Sequence, residues 1–273
     1  MRIHSLFTIV AVCVGLSGCA SRPTGHSPTA TTGDPAAAHY HAVGTPGAEH
    51  GWVVLLPGSS GLRVLGDDRH YFRAAERLNE AGFGVLLIDY KAAYRASPGR
   101  PRGAAGDKIA WVVRRAVEWG IANGHIRRDQ PGAIVAWSLG AEGIWALARS
   151  DGFDEIGVVS IAAYYPSVER ELEHAEAIAP LGVPGLVVTG MADNITEHTL
   201  TRDALRDTGI EIVAYPLAHH GFDVASLDEP VTMRVPPIIG PKATFAYDAE
   251  AAADAAQRIM GFLRPHLVPA DDP

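Results

Sequence analysis

A serine at position 138 sits in the pentad Ala136-Trp137-Ser138-Leu139-Gly140, between an apolar β-like run, GAIVAW, and the helical pattern IWALARS. A chain that turns from strand to helix within one residue strains that residue's backbone, so the residues two positions either side must be small. Ala136 and Gly140 meet that demand. Such a turn lifts the hydroxyl above the sheet and aims the free N–H groups of the helix start at whatever the hydroxyl attacks. The chemistry would be nucleophilic attack by an activated serine. The same serine could instead be a helix N-cap, although a capping box would place Glu or Gln where Ala141 stands.

A nucleophilic serine needs a base and an acid to orient it. Asp193 lies in GMADN at 190–194, and His219 and His220 lie in LAHHGF at 217–222. Taken singly, Asp193 reads equally as a turn or cap residue and the histidines as a solvated loop. Taken together they give the order nucleophile, acid, base. His39, His41 and His50 have no carboxylate at ligand spacing, so no metal site and no cofactor is expected.

These residues must be brought together by the elements between them. Apolar runs predict strands at 51–56, 84–89, 133–137, 156–162, 186–189 and 211–216, and helical spacing fills 69–81, 107–123, 138–150, 198–208 and 247–266. Six strands alternating with helices predict a single α/β domain, a mostly parallel sheet with helices on both faces. In such sheets, ligands bind at the carboxyl ends of the strands. Ser138, Asp193 and His220 each fall just after a predicted strand, so all three should reach one crevice.

The flanks read differently. Residues 1–18 carry Arg2, an apolar run over 6–16 and small residues, the pattern of an export signal too short to span a bilayer. The ending Leu16-Ser17-Gly18-Cys19 resembles the lipobox of bacterial lipoproteins, which implies lipid attachment at Cys19, membrane anchoring and, in a Gram-negative source, the outer membrane facing the periplasm. Residues 19–47, rich in Pro, Gly, Ser, Thr and Ala, are expected as a tether, and 48–268 as the folded domain. The only other cysteine is Cys13, so the domain holds neither disulfide nor metal thiolate. The net charge is −8, with no Lys/Arg cluster on any segment, and no nucleic-acid partner is expected.

Four segments carry a wider likeness: PGSSGLR at 57–63, RAAERLNEAGFGVLLIDY at 73–90, AWSLGAEG at 136–143, and GMAD at 190–193 with AHHGF at 218–222. With the Tyr247-led, Ala-rich start of the last helix, they resemble the dienelactone hydrolase-like branch of the α/β-hydrolases over nearly the whole domain. The resemblance implies the α/β-hydrolase fold and selects His220, of the His-Gly-Phe step, as base over His219. Two departures stand out. The dienelactone hydrolases proper carry Cys at the position of Ser138 and an acidic residue near the first strand exit, where this chain reads Pro57-Gly58-Ser59. The lactone substrate is therefore not carried over.

The expected chemistry is acyl transfer from a small-molecule carboxylic ester through Ser138, His220 and Asp193. The N–H groups of Leu139 and Ser59 would receive the oxyanion. Candidates for the substrate pocket are Trp137, Tyr90 and Met191, with Tyr94, Tyr164 and Tyr165 on other strand exits; for most of them ordinary core packing is the stronger reading. The proline-rich stretch 231–245 would rim the pocket or pack beside it. Amide cleavage on the same triad, or a binding lipoprotein on the same scaffold, are the other readings. The oligomeric state is not readable.

Overall fold

The computed structural model describes residues 34–44, 48–168, 178–235 and 240–268. The expected signal and Cys19 lie outside them. Nine strands and seven α-helices follow among the described residues: β1 (Tyr40–Val43), β2 (Trp52–Leu56), α1 (His70–Glu80), β3 (Gly84–Ile88), α2 (Tyr90–Ala96), α3 (Ala105–Ala122), β4 (Gly132–Trp137), α4 (Glu142–Ala148), α5 (Gly152–Ile156), β5 (Val158–Tyr164), β6 (Gly185–Gly190), α6 (His198–Leu205), β7 (Glu211–Tyr215), β8 (Val231–Arg234), β9 (Lys242–Phe245) and α7 (Ala249–Leu267).

Seven strands form one sheet in the order β1-β3-β2-β4-β5-β6-β7, parallel throughout except for β1. β3 lies on one side of β2 and β4 on the other, so the connections diverge after β2 and open a crevice between its carboxyl end and that of β4. Every residue of β2, β3, β4 and β6 is buried. Along β2, Trp52, Val54 and Leu56 enter one apolar layer with α2, α3 and α4, whereas Val53 and Leu55 enter the other with α1 and α7. Successive side chains of a strand point to opposite faces, so helices on both sides are required to bury such a run. On α7 the contact stripe is Ala251, Ala255, Ile259 and Leu263, one residue every helical turn.

The structure departs from the sequence reading in the flank before residue 48 and in the start of one strand. The folded unit starts before residue 48: Asp34 caps a 3₁₀ turn at Pro35–His39, bonds Arg115 of α3 at 2.5 Å, and leads into β1, which pairs antiparallel with β3 from Tyr40↔Ile88 to Val43↔Val85. The part of the expected tether over 34–44 is thus an edge of the sheet. Its apolar anchors, Ala36, Ala37 and Tyr40, are buried but too few to show a period. The fifth strand begins at Val158 rather than at 156, because Gly152–Ile156 is a short helix closed by Gly157 at φ 78°. In the stretch 231–245, expected to rim the pocket or pack beside it, β8 pairs antiparallel with β9, and Phe245 and Ala243 pack on Val224 and Leu227.

Candidate active site

Ser138 follows the last residue of β4 with φ 48°, in the left-handed region that non-glycine residues avoid. The turn runs through a 3₁₀ segment, Ser138–Ala141, before α4 begins at Glu142, so the expected single helix over 138–150 is two pieces. Gly140 is required here: a Cβ on it would lie 2.5 Å from the Leu56 carbonyl oxygen and 2.7 Å from that of Pro57. The elbow is therefore seated against the end of β2. Its serine side chain lies over Gly58, where an added Cβ would be 3.4 Å from Ser138 Cβ. From the other side the Ser167 N–H donates to the Ser138 carbonyl at 3.0 Å.

The loop after β2 is pinned by side chains of its neighbours. The Gly58 N–H donates to Tyr71 Oη at 3.0 Å, Tyr90 Oη donates to the Gly58 carbonyl at 3.3 Å, and Lys91 Nζ donates to the Ser59 carbonyl. Because the Gly58 N–H is taken, the Ser59 N–H is the next in line, and among the described residues it has no partner. The Leu139 N–H is in the first turn of a helical segment, where N–H groups have no intrahelical acceptor.

Asp193 and His220 meet. Asp193 follows β6 and accepts from the N–H groups of Ile195 at 2.7 Å and Thr196 at 3.0 Å through Oδ1. Its Oδ2 lies 2.7 Å from His220 Nδ1 and 2.8 Å from the Thr196 hydroxyl. Burial by itself would raise the Asp193 carboxyl, yet the facing imidazole and the two N–H donors outweigh it and hold the group below the ordinary carboxylate range. An ionised carboxylate on Nδ1 fixes the imidazole tautomer with its proton on that side. His220 is held between Tyr165, at 4.5 Å between ring centroids, and Phe245 at 5.7 Å. The other histidine, His219, turns its Nδ1 to the Ala192 carbonyl at 3.0 Å. Among the described residues, no hydrogen bond joins Ser138 Oγ to His220 Nε2.

The aromatic pocket candidates fall in different places. Trp137 is buried, stacked on Tyr164 with centroids 4.9 Å apart and planes 3° from parallel. The pair lines a cavity of about 30 Å³ between α1 and α7 that Ser138 does not line. Tyr90 is buried as a pin of the Gly58 loop, and Tyr94 Oη donates to the Pro101 carbonyl. Met191 is 54% exposed after β6, and Leu217, after β7, is 82% exposed. The sequence reading missed Tyr71, Thr196 and Asp223; the last stands three residues beyond His220, and that placement was the available signal.

A parallel sheet whose strand exits gather a strained serine and a buried histidine–aspartate couple defines the α/β-hydrolase class. The chain belongs to the dienelactone hydrolase family, whose model matches residues 41–267, and it is a hydrolase. Its fold is similar to that of a monoacylglycerol lipase from Paleococcus ferrophilus, at 17% identity and TM-score 0.53, covering 83% of this chain and 98% of the lipase. An esterase of Pyrococcus furiosus is similar at 17% identity and TM-score 0.53, over 81% and 84% of the two chains. So is a predicted CIB-like hydrolase from Thermoplasma acidophilum, at 16% identity and TM-score 0.53, over 83% and 91%. No curated protein sequence matches this chain.

Proposed function

We propose that the protein hydrolyses a carboxylic ester through an acyl-enzyme on Ser138. Oγ attacks the carbonyl carbon while its proton passes to His220 Nε2, and the new oxyanion accepts from the N–H groups of Leu139 and Ser59. Collapse expels the alcohol, which takes the proton from His220; water, activated by the same imidazole, then releases the acid and restores Ser138. Asp193 holds the tautomer and stabilises the imidazolium. Contact between Ser138 and His220 closes in the substrate complex, where such bonds commonly tighten. The observation that carries the reading is the 2.7 Å bond between His220 and Asp193, buried and made from loops 27 residues apart. The esterase and lipase among the structural neighbours favour an ester over an amide.

The test is Ser138→Ala with a short-chain aryl ester, where kcat should fall on the order of 10⁶-fold, as in other triads. A fluorophosphonate probe should label the wild type and not the variant. Folded wild type that neither turns over the ester nor takes the label would point to a binding protein on a hydrolase scaffold.

We also propose that Cys19 is lipid-modified and holds the domain at a membrane. Two or more acyl chains anchor stably, since each buried CH₂ contributes about 0.8 kcal/mol. Cys19→Ala should move the protein to the soluble fraction; retention in the membrane fraction would defeat the assignment.

A further inference from the structure

The structure buries a second carboxylate next to the site, with partners unlike those of Asp193. Asp223 Oδ2 accepts from Trp137 Nε1 at 2.7 Å, and Oδ1 accepts from the Tyr165 hydroxyl at 2.6 Å. His70 Nε2 lies 3.4 Å from Oδ2, without the alignment of a hydrogen bond. Burial would raise this carboxyl, but the imidazole and the two donors hold it below the ordinary range. A buried carboxylate is costly unless so satisfied, which by itself explains only that partners exist.

What the partners are attached to says more. Trp137 is the residue before Ser138, at the end of β4. Tyr165 follows β5 at φ 36° and presses its ring on His220, and its carbonyl lies 3.1 Å from the Thr196 hydroxyl that also reaches Asp193. His70 opens α1 and packs edge-on against Trp137 at 6.0 Å. Asp223 itself is carried by the loop that carries His220. One carboxylate therefore joins the end of the serine strand, the aromatic wall of the imidazole and the loop bearing that imidazole.

We propose that Asp223 is a positioning residue: through Trp137 and Tyr165 it sets the separation and angle between Ser138 and His220. The inference rests on the reading of that pair as nucleophile and base. It touches neither and transfers no proton. Misplacing reacting groups by about 1 Å costs on the order of 10²-fold in rate, so a small slip of this clamp would be visible in kcat.

Tyr165→Phe removes one donor and keeps the ring on His220; Asp223→Asn keeps the shape and one acceptor. Each folded variant should lose about 10- to 100-fold in kcat. KM should stay within about twofold, because ester binding is unaltered, and the rate of fluorophosphonate labelling should fall in parallel. In the double variant the Asn carbonyl still accepts from Trp137, but its NH₂ group faces a ring with no oxygen to accept from it, so thermal stability should fall below that of either single variant while kcat stays low. Asp254 accepts from the Tyr215 hydroxyl at 2.8 Å on the surface and serves as control; Asp254→Asn should leave kcat unchanged.

Kcat within about twofold of wild type in both folded single variants would overturn the inference. So would recovery of kcat in the double variant, or an equal loss in the Asp254 control. An active wild type alongside such results leaves the hydrolase reading standing, whereas a wild type inert to ester and probe removes both.

Discussion

At Asp193 one carboxylate takes two backbone N–H groups, a hydroxyl and an imidazole, so all of its strong acceptor positions are filled. Asp193→Asn keeps the volume but offers Nδ2 or a neutral oxygen toward His220. An NH₂ group facing Nδ1 requires that nitrogen to accept, which moves the ring proton to Nε2, the atom proposed to take the serine proton. Kcat for ester turnover should fall by about 10⁴-fold, as when a triad acid is replaced by its amide elsewhere, with KM little changed; steady-state kinetics on folded protein check it. Ser138, Asp193 and the pair His219-His220 stand out in the sequence because each follows an apolar run; the choice of His220 came from the resemblance, and that histidine is the one that bonds Asp193. Thr196, Tyr71 and Asp223 do not stand out. The Tyr71 hydroxyl meets Gly58 and the Asp223 carboxylate meets Trp137 only because α1, β4 and the loop after β7 pack together, and no local pattern encodes that meeting.

Between β2 and the elbow the contact is backbone against backbone, and this closeness is what brings the Ser59 loop beside Ser138. Gly140→Ala inserts a methyl 2.5 Å from the Leu56 carbonyl oxygen and 2.7 Å from that of Pro57, neither of which is a flexible side chain that could turn aside. Relief requires the elbow to back away from β2. Overpacking of this kind costs about 1–3 kcal/mol, and displacing the proposed oxyanion donors should lower kcat by on the order of 10²-fold; urea midpoints and kinetics measured together would show activity failing before the fold. The alternation of strands and helices was readable because β2, β3, β4 and β6 are continuous apolar runs bounded by Gly or Pro, the mark of strands buried on both faces. β1 was hidden: it is four residues long, its pattern is one buried position followed by three half-buried ones, and antiparallel pairing to β3 alone defines it. The helix start before Val158 was hidden for a related reason, since Ile156 serves α5 with the same apolar character that a strand would use.

Across the molecule, two apolar layers sandwich the sheet, and the ionisable groups trapped at their margins set the pH range of the fold. On the acid side, Asp193 and Asp223 have folded pKa values depressed below the ordinary carboxylate value of 3.8. The folded state therefore binds those protons more weakly than the unfolded chain. Their contribution is complete above the unfolded value and disappears as pH falls through the depressed folded values. On the alkaline side the direction is reversed. Burial pushes Tyr40 from 10.0 up to about 12 and raises Tyr71, Tyr90, Tyr164 and Tyr165 as well. These phenols must stay neutral inside, so their contribution is complete below pH 10 and is lost as pH rises from there through the folded values. Urea unfolding across pH should give a plateau bounded by two falling limbs, the acid one below about pH 4 and the alkaline one above about pH 10. Asp193→Asn should shallow the acid limb, and Tyr40→Phe the alkaline limb between about pH 10 and 12, each leaving the opposite limb intact. An acid limb unchanged in Asp193→Asn would mean that its couple with His220 contributes nothing to folding, and that the bond is maintained for chemistry alone.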